Sequence, residues 1–284
     1  MYHAIVNEKV NAVALDHRVF LLTKATNRAM IKCVNNLLFC KGDFVIYKGK
    51  TVSGILLAAG SSNRMGLNIN KVYLSLKAQQ IPALYYPLAA FEENDYIDEI
   101  VIVVRTEDRA ELQDMIIHEK FPRKPVWIAI GGENRYDSVY NGLSISTGEI
   151  VMIHDGARPL LKQRFISDCV EAMDAFPGAI VGVKSIDRLC YTDKNGNMVQ
   201  GGFEGNTYRV QTPQCFRAKI LKECHDKIAD KSNITDDSTL LERCGYPVKM
   251  LAGDETNIKI TVPSDINIAE HYIMHDEEIY DLLA

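Results

Sequence analysis

The sequence of 284 residues lacks any run of about 18 apolar residues, the minimum for a helix that crosses a bilayer. It also lacks the basic and apolar blocks of a secretion signal after Met1. Its seven cysteines include no CxxC pair and no Cys/His cluster with zinc-like spacing. We therefore expect a cytoplasmic protein with reduced thiols, in which Cys215 and Cys224 pack in the core.

Two common phosphate-binding motifs are also missing, the GxGxxG of dinucleotide-binding proteins and the GxxxxGK[ST] of P-loop proteins. The formal net charge of -5 argues against general nucleic-acid binding, although it allows a local basic pocket for a phosphorylated ligand. We expect neither a nucleic acid nor a membrane as a partner.

Charge divides the chain into two parts. Residues 1–50 contain more Lys and Arg than Asp and Glu, whereas the remainder is acidic. This shift predicts an accessory N-terminal extension at 1–50 and a main domain at 51–284. Within the extension, the apolar pattern predicts strands at 19–22 and 44–47 and a helix at 25–38.

From Gly54 onward, short apolar runs alternate with segments of helical periodicity. Strands are predicted at 55–58, 100–104, 126–130, 150–153 and 179–183, and helices at 81–91, 108–118 and 137–144. This alternation predicts an α/β fold, a Rossmann-like, doubly wound and mostly parallel sheet. Ligands of such sheets bind beyond the carboxyl ends of the strands.

The pattern changes after residue 183. A turn signal at Asp193–Gly196 separates two polar, strand-like stretches, which predicts a protruding β-hairpin arm over about 184–210. The chain then closes with predicted helices at 218–228 and 238–244 and a helix that starts at 263–265. Two further strands are predicted at 248–252 and 258–261.

A loop rich in small residues follows the first predicted strand of the main domain. It runs from Leu57 to Gly66 and contains Arg64, with Lys71 five residues beyond it. Small residues let backbone N–H groups approach an anion, and two cations at this spacing can neutralise a polyphosphate. The alternative is a tight turn with two solvated cations.

Further charged residues follow the other predicted strands. Asp155 stands at the carboxyl end of the strand at 150–153, where it could serve a site or cap a turn. Lys259 lies between Ile258 and Ile260 and must face away from them, into solvent or into a site. Arg105 and Arg135 have no evident partner and are assigned to the surface. The aspartates at 236–237 are predicted to cap a helix.

Six motifs occur in one order along the chain. They are Ala-Ala-Gly with Arg-Met-Gly at 58–66, Gly-Gly-Glu-Asn-Arg at 131–135, His-Asp-Gly-Ala-Arg-Pro at 154–159, Gln-Thr-Pro-Gln at 211–214, Thr-Asp-Asp at 235–237 and Asn-Ile-Lys-Ile-Thr at 257–261. Together they resemble the 2-C-methyl-D-erythritol 4-phosphate cytidylyltransferase family and its near relatives, the ribitol 5-phosphate cytidylyltransferases, over residues 53–273. The resemblance implies a fold of the nucleotide-diphospho-sugar transferase type and a place in isoprenoid biosynthesis.

The resemblance also implies roles for individual residues. Arg64, Lys71 and Lys259 would surround the α-phosphate of CTP, and Asp155 would help to hold Mg²⁺ or another divalent cation on the triphosphate. The nucleotide would contact Ala58, Ala59, Gly60, Ser61, Gly132, Glu133, Ser138 and Gly156. The acceptor would contact Arg158, Asp187, Arg188, Glu204 and Thr235. A homodimer is implied as well, because members of the family insert the arm into the neighbouring subunit's site.

The arm departs from the family pattern at two positions. Arg188 stands where the family has threonine after aspartate, and Glu204 stands where it has an arginine for phosphate. A carboxylate within about 4 to 6 Å of a phosphate is repulsive unless a cation intervenes. Either Arg188 replaces the lost cation and contacts the acceptor phosphate, or the acceptor is a different polyol phosphate.

Three functions therefore stay open. The first is a cytidylyltransferase, with 2-C-methyl-D-erythritol 4-phosphate favoured over ribitol 5-phosphate as the acceptor. The second is a nucleotidyltransferase that uses UTP, GTP or ATP, which the segment from Gly131 to Leu143 disfavours. The third is a non-catalytic nucleotide-binding homologue, which the presence of Arg64, Lys71, Asp155 and Lys259 disfavours.

Overall fold

A computed structural model describes residues 47–62, 70–77, 80–110, 112–113, 124–199, 206–231 and 234–282 and the backbone of four strands before residue 35. Those strands are β1 (Ala4–Asn7), β2 (Val10–Leu15), β3 (Arg18–Thr23) and β4 (Cys33–Val34), which form an antiparallel sheet of their own in the order β1-β2-β3-β4. Strand β3 confirms the strand predicted at 19–22. The helix predicted at 25–38 is wrong at residues 33–34, which pair with β3, and its other residues lie outside the described part, as do 44–46.

A second sheet of seven strands forms the main domain. Its strands are β5 (Val52–Leu57), β8 (Glu99–Val104), β9 (Val126–Ile130), β10 (Ile150–Asp155), β11 (Gly178–Lys184), β14 (Tyr208–Arg217) and β15 (Val248–Ala252). They lie in the order β15-β11-β14-β10-β5-β8-β9, and β14 alone among these strands is antiparallel to its neighbours. The predicted α/β fold with a mostly parallel sheet is confirmed.

Helices cover both faces of this sheet because its central strands are apolar on both sides. One face packs Leu56, Ile100 and Ile102 against helix α1 (Tyr85–Glu93) and helix α3 (Gln163–Ala172). The other face packs Ile55, Val101 and Val103 against helix α2 (Arg135–Ile145) and its neighbours. Those neighbours are α4 (Ala218–Lys227) and α5 (Asp237–Arg243).

Close packing also explains a glycine in the middle of β5. A Cβ placed on Gly54 would lie 2.5 Å from the ring of Phe91 in α1, so a larger residue would push the helix off the sheet. Cys215 and Cys224 are buried in the two apolar clusters, as the sequence predicts.

The arm leaves the sheet after β11 and returns as β14. Near its tip, β12 (Tyr191–Thr192) pairs with β13 (Met198–Val199), and Gly196 takes the positive φ of 83° that the turn requires. The predicted hairpin is thus present, although residues 200–205, which include Glu204 and Phe203, lie outside the described part.

Two predicted elements of the main domain differ from the structure in their type or bounds. The helix predicted at 81–91 begins only at Tyr85, because β7 (Ile81–Pro82) pairs with β6 (Ser75–Leu76). The strand predicted at 258–261 is absent, since these residues form no ladder, and the Ile260 N–H instead donates to Ala157 O at 2.8 Å.

Of the helix predicted at 108–118, residues 109–110 and 112–113 are helical, Asp108 lies in a turn, and the other residues lie outside the described part. The chain ends with α6 (Ser264–His275), which the sequence predicts from Pro263, and α7 (Glu277–Asp281). Within the described residues, no helix combines the length and apolarity needed to cross a membrane.

Candidate active site

Several of the residues singled out by the sequence lie beyond the carboxyl ends of β5, β8, β9 and β10. Asp155 is the last residue of β10 and pairs in register with Leu57, the last residue of β5. The N–H of Gly156 donates to Leu57 O at 2.9 Å, so the turn after β10 lies directly against the loop after β5. A Cβ on Gly156 would lie 3.0 Å from the same oxygen, which explains the need for glycine.

The loop after β5 is anchored by buried hydrogen bonds at both ends. The Ala58 N–H donates to Val103 O at 2.7 Å, and the Asn70 side-chain amide donates to Ala58 O at 2.6 Å. Ser62 Oγ accepts the backbone N–H of Lys71 at 2.9 Å, which places Lys71, a largely buried residue, next to the loop. Ala59, Gly60 and Ser61, between these anchors, are more exposed and leave backbone groups open to a ligand.

A second hydrogen bond of Asn70 extends this anchor to the neighbouring strand. Its amide lies 3.1 Å from Asp108 Oδ2, and Asp108 receives two hydrogen bonds from Arg105, at 2.7 and 2.6 Å. The prediction that Arg105 is a surface charge without a partner is therefore wrong. Arg105 fixes the carboxylate that fixes Asn70.

The loop after β9 touches the loop after β5. A Cβ on Gly131 would lie 2.4 Å from the Cβ of Ala59, so only glycine allows this approach. The Gly132 N–H donates to Ser138 Oγ at 3.1 Å, and Ser138 Oγ donates to Asn134 O at 3.0 Å. Ser138 is buried at the start of α2, and Glu133 is exposed on the loop.

Three cations surround the Asp155 carboxylate. Lys259 Nζ lies 2.7 Å from Oδ2, Arg158 Nε lies 3.8 Å from the same oxygen, and Arg135 Nε lies 3.6 Å from Oδ1. Burial alone would raise the pKa of Asp155, but the three cations outweigh it and hold that pKa well below its usual range. Asp155 therefore stays ionised and accepts from these cations, and the turn cap considered for its side chain is not present.

Lys259 reaches this carboxylate from a distant part of the chain. Ile260 is fully buried and Ile258 packs against the same apolar cluster, so the side chain of Lys259 faces away from both. The prediction that Lys259 faces away from both isoleucines is correct, although the segment is not a strand. Its side chain stays 35% exposed, which leaves the ammonium accessible to a ligand.

A backbone carbonyl holds the guanidinium of Arg158 in place. Its Nη1 donates to Asn257 O at 2.6 Å, and the Asn257 side chain donates to Thr212 O at 2.9 Å. Thr212 Oγ1 accepts the Asp155 N–H at 3.0 Å and lies 3.1 Å from His154 Nδ1. The predicted motifs at 154–159, 211–214 and 257–261 are thus joined by hydrogen bonds into one unit.

Arg135 is the residue that sequence reasoning missed. It is not a surface charge: its Nη1 lies 2.7 Å from Oδ2 of Asp237, whose side chain is only 1% exposed. Asp236 caps α5 as predicted, by accepting the Thr239 N–H at 3.1 Å, whereas Asp237 pairs with Arg135. The signal available in the sequence was an arginine and an aspartate within two of the six motifs.

The remaining predicted residues are spread more widely. Arg64 and Glu204 lie outside the described residues. Asp187 and Arg188 are exposed on the arm. Thr235 is exposed next to the start of α5, where its Oγ1 lies 3.3 Å from Thr239 Oγ1.

The available side-chain ligands limit how the predicted metal ion could bind. Within the described residues, no three or more His, Cys, Asp and Glu side chains form a group that could hold a metal ion. Mg²⁺ commonly binds through one or two carboxylates together with substrate phosphates. Asp155 could bind Mg²⁺ in that mode. The described residues offer no set of side chains that could hold the ion without substrate phosphates.

A cavity of about 730 Å³ elsewhere in the molecule shares no residue with this cluster. Carboxylates on its wall come from Glu93, Asp95, Glu278 and Asp281. These would repel a polyphosphate, whereas the loops around Asp155 offer cations and backbone N–H groups. Charge therefore favours the cluster around Asp155 as the site for a phosphorylated ligand.

Known proteins resemble this chain over most of its length. A model of the 2-C-methyl-D-erythritol 4-phosphate cytidylyltransferase family matches residues 52–275. The protein of that name from Caldanaerobacter subterraneus subsp. tengcongensis is 39% identical over 225 residues, which are 78% of this chain and 98% of that protein. The one from Microcystis aeruginosa is 39% identical over 222 residues, 77% of this chain and 97% of that protein.

A solved structure agrees with these sequence matches. The crystal structure of 4-diphosphocytidyl-2C-methyl-D-erythritol synthase from Anaerococcus prevotii superposes with a TM-score of 0.70 and 28% identity. It covers 80% of this chain and 97% of the other chain. The family match begins at Val52, the first residue of β5, so the four N-terminal strands precede it.

Proposed function

The chain belongs to the 2-C-methyl-D-erythritol 4-phosphate cytidylyltransferase family, and we propose that Lys71, Asp155 and Lys259 carry out the family's reaction at the site described above. The enzyme transfers CMP from CTP to 2-C-methyl-D-erythritol 4-phosphate and releases pyrophosphate, a step of isoprenoid biosynthesis. The cluster of three cations on an ionised Asp155 carries the assignment of the site.

The reaction brings two polyanions together. An oxygen of the acceptor phosphate attacks the α-phosphorus of CTP, a new P–O bond forms, and the bond to the pyrophosphate oxygen breaks. Negative charge gathers on the oxygens around phosphorus in the transition state, so catalysis consists mainly of positioning and charge neutralisation. No covalent intermediate with the protein is required.

Lys259 is suited to act at the α-phosphate because its ammonium is accessible and already lies beside a carboxylate. When CTP binds, the ammonium can move from Asp155 to a phosphate oxygen over a short distance. Lys71, whose backbone N–H donates to Ser62 Oγ at the end of the nucleotide loop, would also contact the triphosphate. The family resemblance adds Arg64 on the same loop.

The nucleotide would lie across the two loops that touch at Gly131 and Ala59. Backbone groups of residues 58–61 would face the phosphates, and those of Gly132 and Glu133 would face the cytosine. Ser138 fixes the conformation of the second loop through its hydrogen bond with the Gly132 N–H.

A divalent cation, Mg²⁺ in our proposal, would be held by Asp155 together with the triphosphate. Such an ion would neutralise phosphate charge and orient the leaving pyrophosphate. Asp155 suits this task because its carboxylate stays ionised and lies at the carboxyl end of a central strand.

The acceptor would lie beside Arg158 and Thr235, with the arm residues Asp187, Arg188 and Glu204 as further contacts. Arg188 stands in the place of the threonine of the family pattern, and we propose that it supplies the cation for the acceptor phosphate.

A homodimer through the arm fits the exposure of its apolar side chains. Ile186 is 91% exposed, Tyr191 61% and Met198 62%, and Leu189 and Tyr208 are exposed as well. Covering these apolar side chains with a second copy removes them from water, which is favourable. We also propose that the enzyme acts in the cytoplasm, as the sequence predicts.

Pyrophosphate release tests the proposed function. We expect release with CTP and 2-C-methyl-D-erythritol 4-phosphate that exceeds release with UTP, GTP or ATP, and that exceeds release with ribitol 5-phosphate as the acceptor. Release that depends on another nucleotide would contradict the proposal. Nucleotide binding without turnover with any acceptor would favour the non-catalytic homologue.

A further inference from the structure

The ion pair between Arg135 and Asp237 joins the starts of two helices at the edge of the site. Arg135 is the first residue of α2 and Asp237 the first residue of α5, and 102 positions separate them in the chain. Both are held in place by their surroundings: α2 packs on the sheet, and Asp236, the cap of α5, receives a hydrogen bond from the Gln214 side chain at 3.1 Å. The pair therefore connects rigid elements.

The same guanidinium also faces the Asp155 carboxylate. Its Nη1 contacts Asp237 at 2.7 Å, while its Nε lies 3.6 Å from Asp155 Oδ1. A guanidinium is planar and its N–H groups point in fixed directions. Anchoring Nη1 on Asp237 therefore fixes the direction of Nε toward Asp155.

The two oxygens of Asp155 consequently have different partners. Oδ1 faces Arg135, and Oδ2 faces Lys259 and Arg158. A partial rotation of the carboxylate about its χ2 angle would move Oδ1 away from Arg135 and Oδ2 away from Lys259. Arg135 opposes this rotation because it holds Oδ1 from the side of α2.

Stability alone gives a weak reason for such a pair. Placing both charges largely out of water costs free energy that their attraction recovers only in part, and apolar replacements of buried pairs are often neutral or stabilising. In this molecule burial raises the pKa of Asp237 despite the neighbouring arginine, which shows the cost of holding the ionised form there.

We propose that Arg135, anchored by Asp237, is a positioning residue that orients the Asp155 carboxylate so that Oδ2 faces Lys259 and the bound nucleotide. The proposal rests on the function assigned above to Asp155 and Lys259. A misplacement of a reacting or charge-stabilising group by about 1 Å can lower turnover on the order of 100-fold.

The test compares Arg135→Gln, Asp237→Asn and the double variant that carries both changes. Arg135→Gln leaves the buried Asp237 carboxylate without its cation, and Asp237→Asn removes the carboxylate that anchors the guanidinium, so we expect a lower melting temperature and at least a roughly tenfold lower kcat for each. In the double variant, two neutral amides can hydrogen-bond to each other. We expect its melting temperature to recover while its kcat stays low, because no cation faces Asp155 Oδ1.

The KM for CTP distinguishes positioning from direct binding. We expect it to stay within about twofold of the native value in all three variants, with the Kd for CTP from calorimetry also unchanged. Lys219→Gln provides a control, since the side chain of Lys219 is 89% exposed on α4. If Arg135→Gln does not accumulate as folded protein, Arg135→Lys tests the same point, because one ammonium cannot contact both carboxylates in the geometry of the planar fork.

Several results would overturn the proposal. Recovery of both kcat and melting temperature in the double variant would assign the pair a structural role alone. A raised KM for CTP at native kcat would make Arg135 a nucleotide-binding residue. If the native enzyme and Lys219→Gln are active, Lys259→Met is inactive and the Arg135 and Asp237 variants are fully active, the positioning role fails while the proposed function stands. A native enzyme that releases no pyrophosphate would refute both.

Discussion

Lys259 Nζ lies 2.7 Å from Asp155 Oδ2, although 104 positions of the chain separate the two residues. The contact joins the end of a central strand to a segment that follows the last strand of the sheet. Water solvates these two charges less well here than it would at an open surface. We therefore expect such an ion pair only where it serves the fold or a ligand. The following predictions distinguish these uses.

Ser138→Ala tests the second nucleotide loop. The change removes the acceptor of the Gly132 N–H, so we expect the KM for CTP to rise about five- to tenfold, equivalent to roughly 1 kcal/mol for one hydrogen bond. Ser144→Ala on the same helix is the matched control, because Ser144 Oγ also donates to a carbonyl four residues earlier but is exposed. Equal KM values for the two variants would contradict the assigned role.

Asn70→Ala tests the anchor of the first loop. Its amide donates to Ala58 O at 2.6 Å, and the substitution leaves that buried carbonyl without this donor. We expect the free energy of unfolding to fall by about 1–3 kcal/mol and the KM for CTP to rise. Asn197→Ala in the exposed turn of the arm should change the stability by less than about 0.5 kcal/mol. Equal stabilities in urea denaturation would show that the anchor is dispensable.

His225→Leu tests a buried histidine outside the site. Burial lowers the pKa of His225 to about 4, and neither ring nitrogen has a hydrogen-bond partner within the described residues. The unfolded chain, with a histidine pKa of about 6.5, therefore takes up the proton first. The stability that His225 contributes is fully present above pH 6.5 and is lost as the pH falls from 6.5 to 4.

Asp98 acts in the opposite direction over part of this range, because burial raises its pKa to about 6. Its contribution is present at low pH and is lost as the pH rises through 6, and it is common to both proteins. The native free energy of unfolding should thus fall relative to that of His225→Leu by on the order of 2 kcal/mol between pH 7 and pH 4. Parallel curves for the two proteins would contradict this prediction.

Ile186→Asp tests the proposed dimer. The side chain is 91% exposed on the arm, and a charge in an apolar interface is costly to desolvate. We expect light scattering to give twice the mass of 31.9 kDa for the native enzyme and the monomer mass for the variant. Ile268→Asp, at a position 43% exposed on α6, should remain dimeric. A native protein of monomer mass at micromolar concentration would refute the dimer.

Much of the fold could be predicted because apolar runs and helical periodicity are local properties. The strand at 126–130 matches the structure residue for residue, and the helix at 137–144 lies inside α2. The strand at 258–261 could not be told from an extended segment, since Ile258 and Ile260 alternate with polar residues in either case. Only the tertiary bond from Ile260 to Ala157 decides between them.

The site was predictable only in part for the same reason. Asp155 and Lys259 could be named from their positions beside apolar residues, but the pairing of Arg135 with Asp237 depends on how α2 and α5 pack on one face of the sheet. No local pattern encodes that contact. Sequence reasoning therefore named Asp155 and Lys259 and missed Arg135, which contacts Asp155 from the other side.

The turnover of Lys259→Met tests the assignment of the active site most directly. It is measured as pyrophosphate release at saturating CTP and acceptor, with Lys249→Met as the control. Lys249 is exposed on β15 and lies over the ring of Phe176, so its loss should leave kcat unchanged. Loss of Lys259 should lower kcat roughly 100- to 1,000-fold, because a charge that stabilises the transition state is removed. Native turnover in Lys259→Met would show that the α-phosphate does not bind beside Asp155.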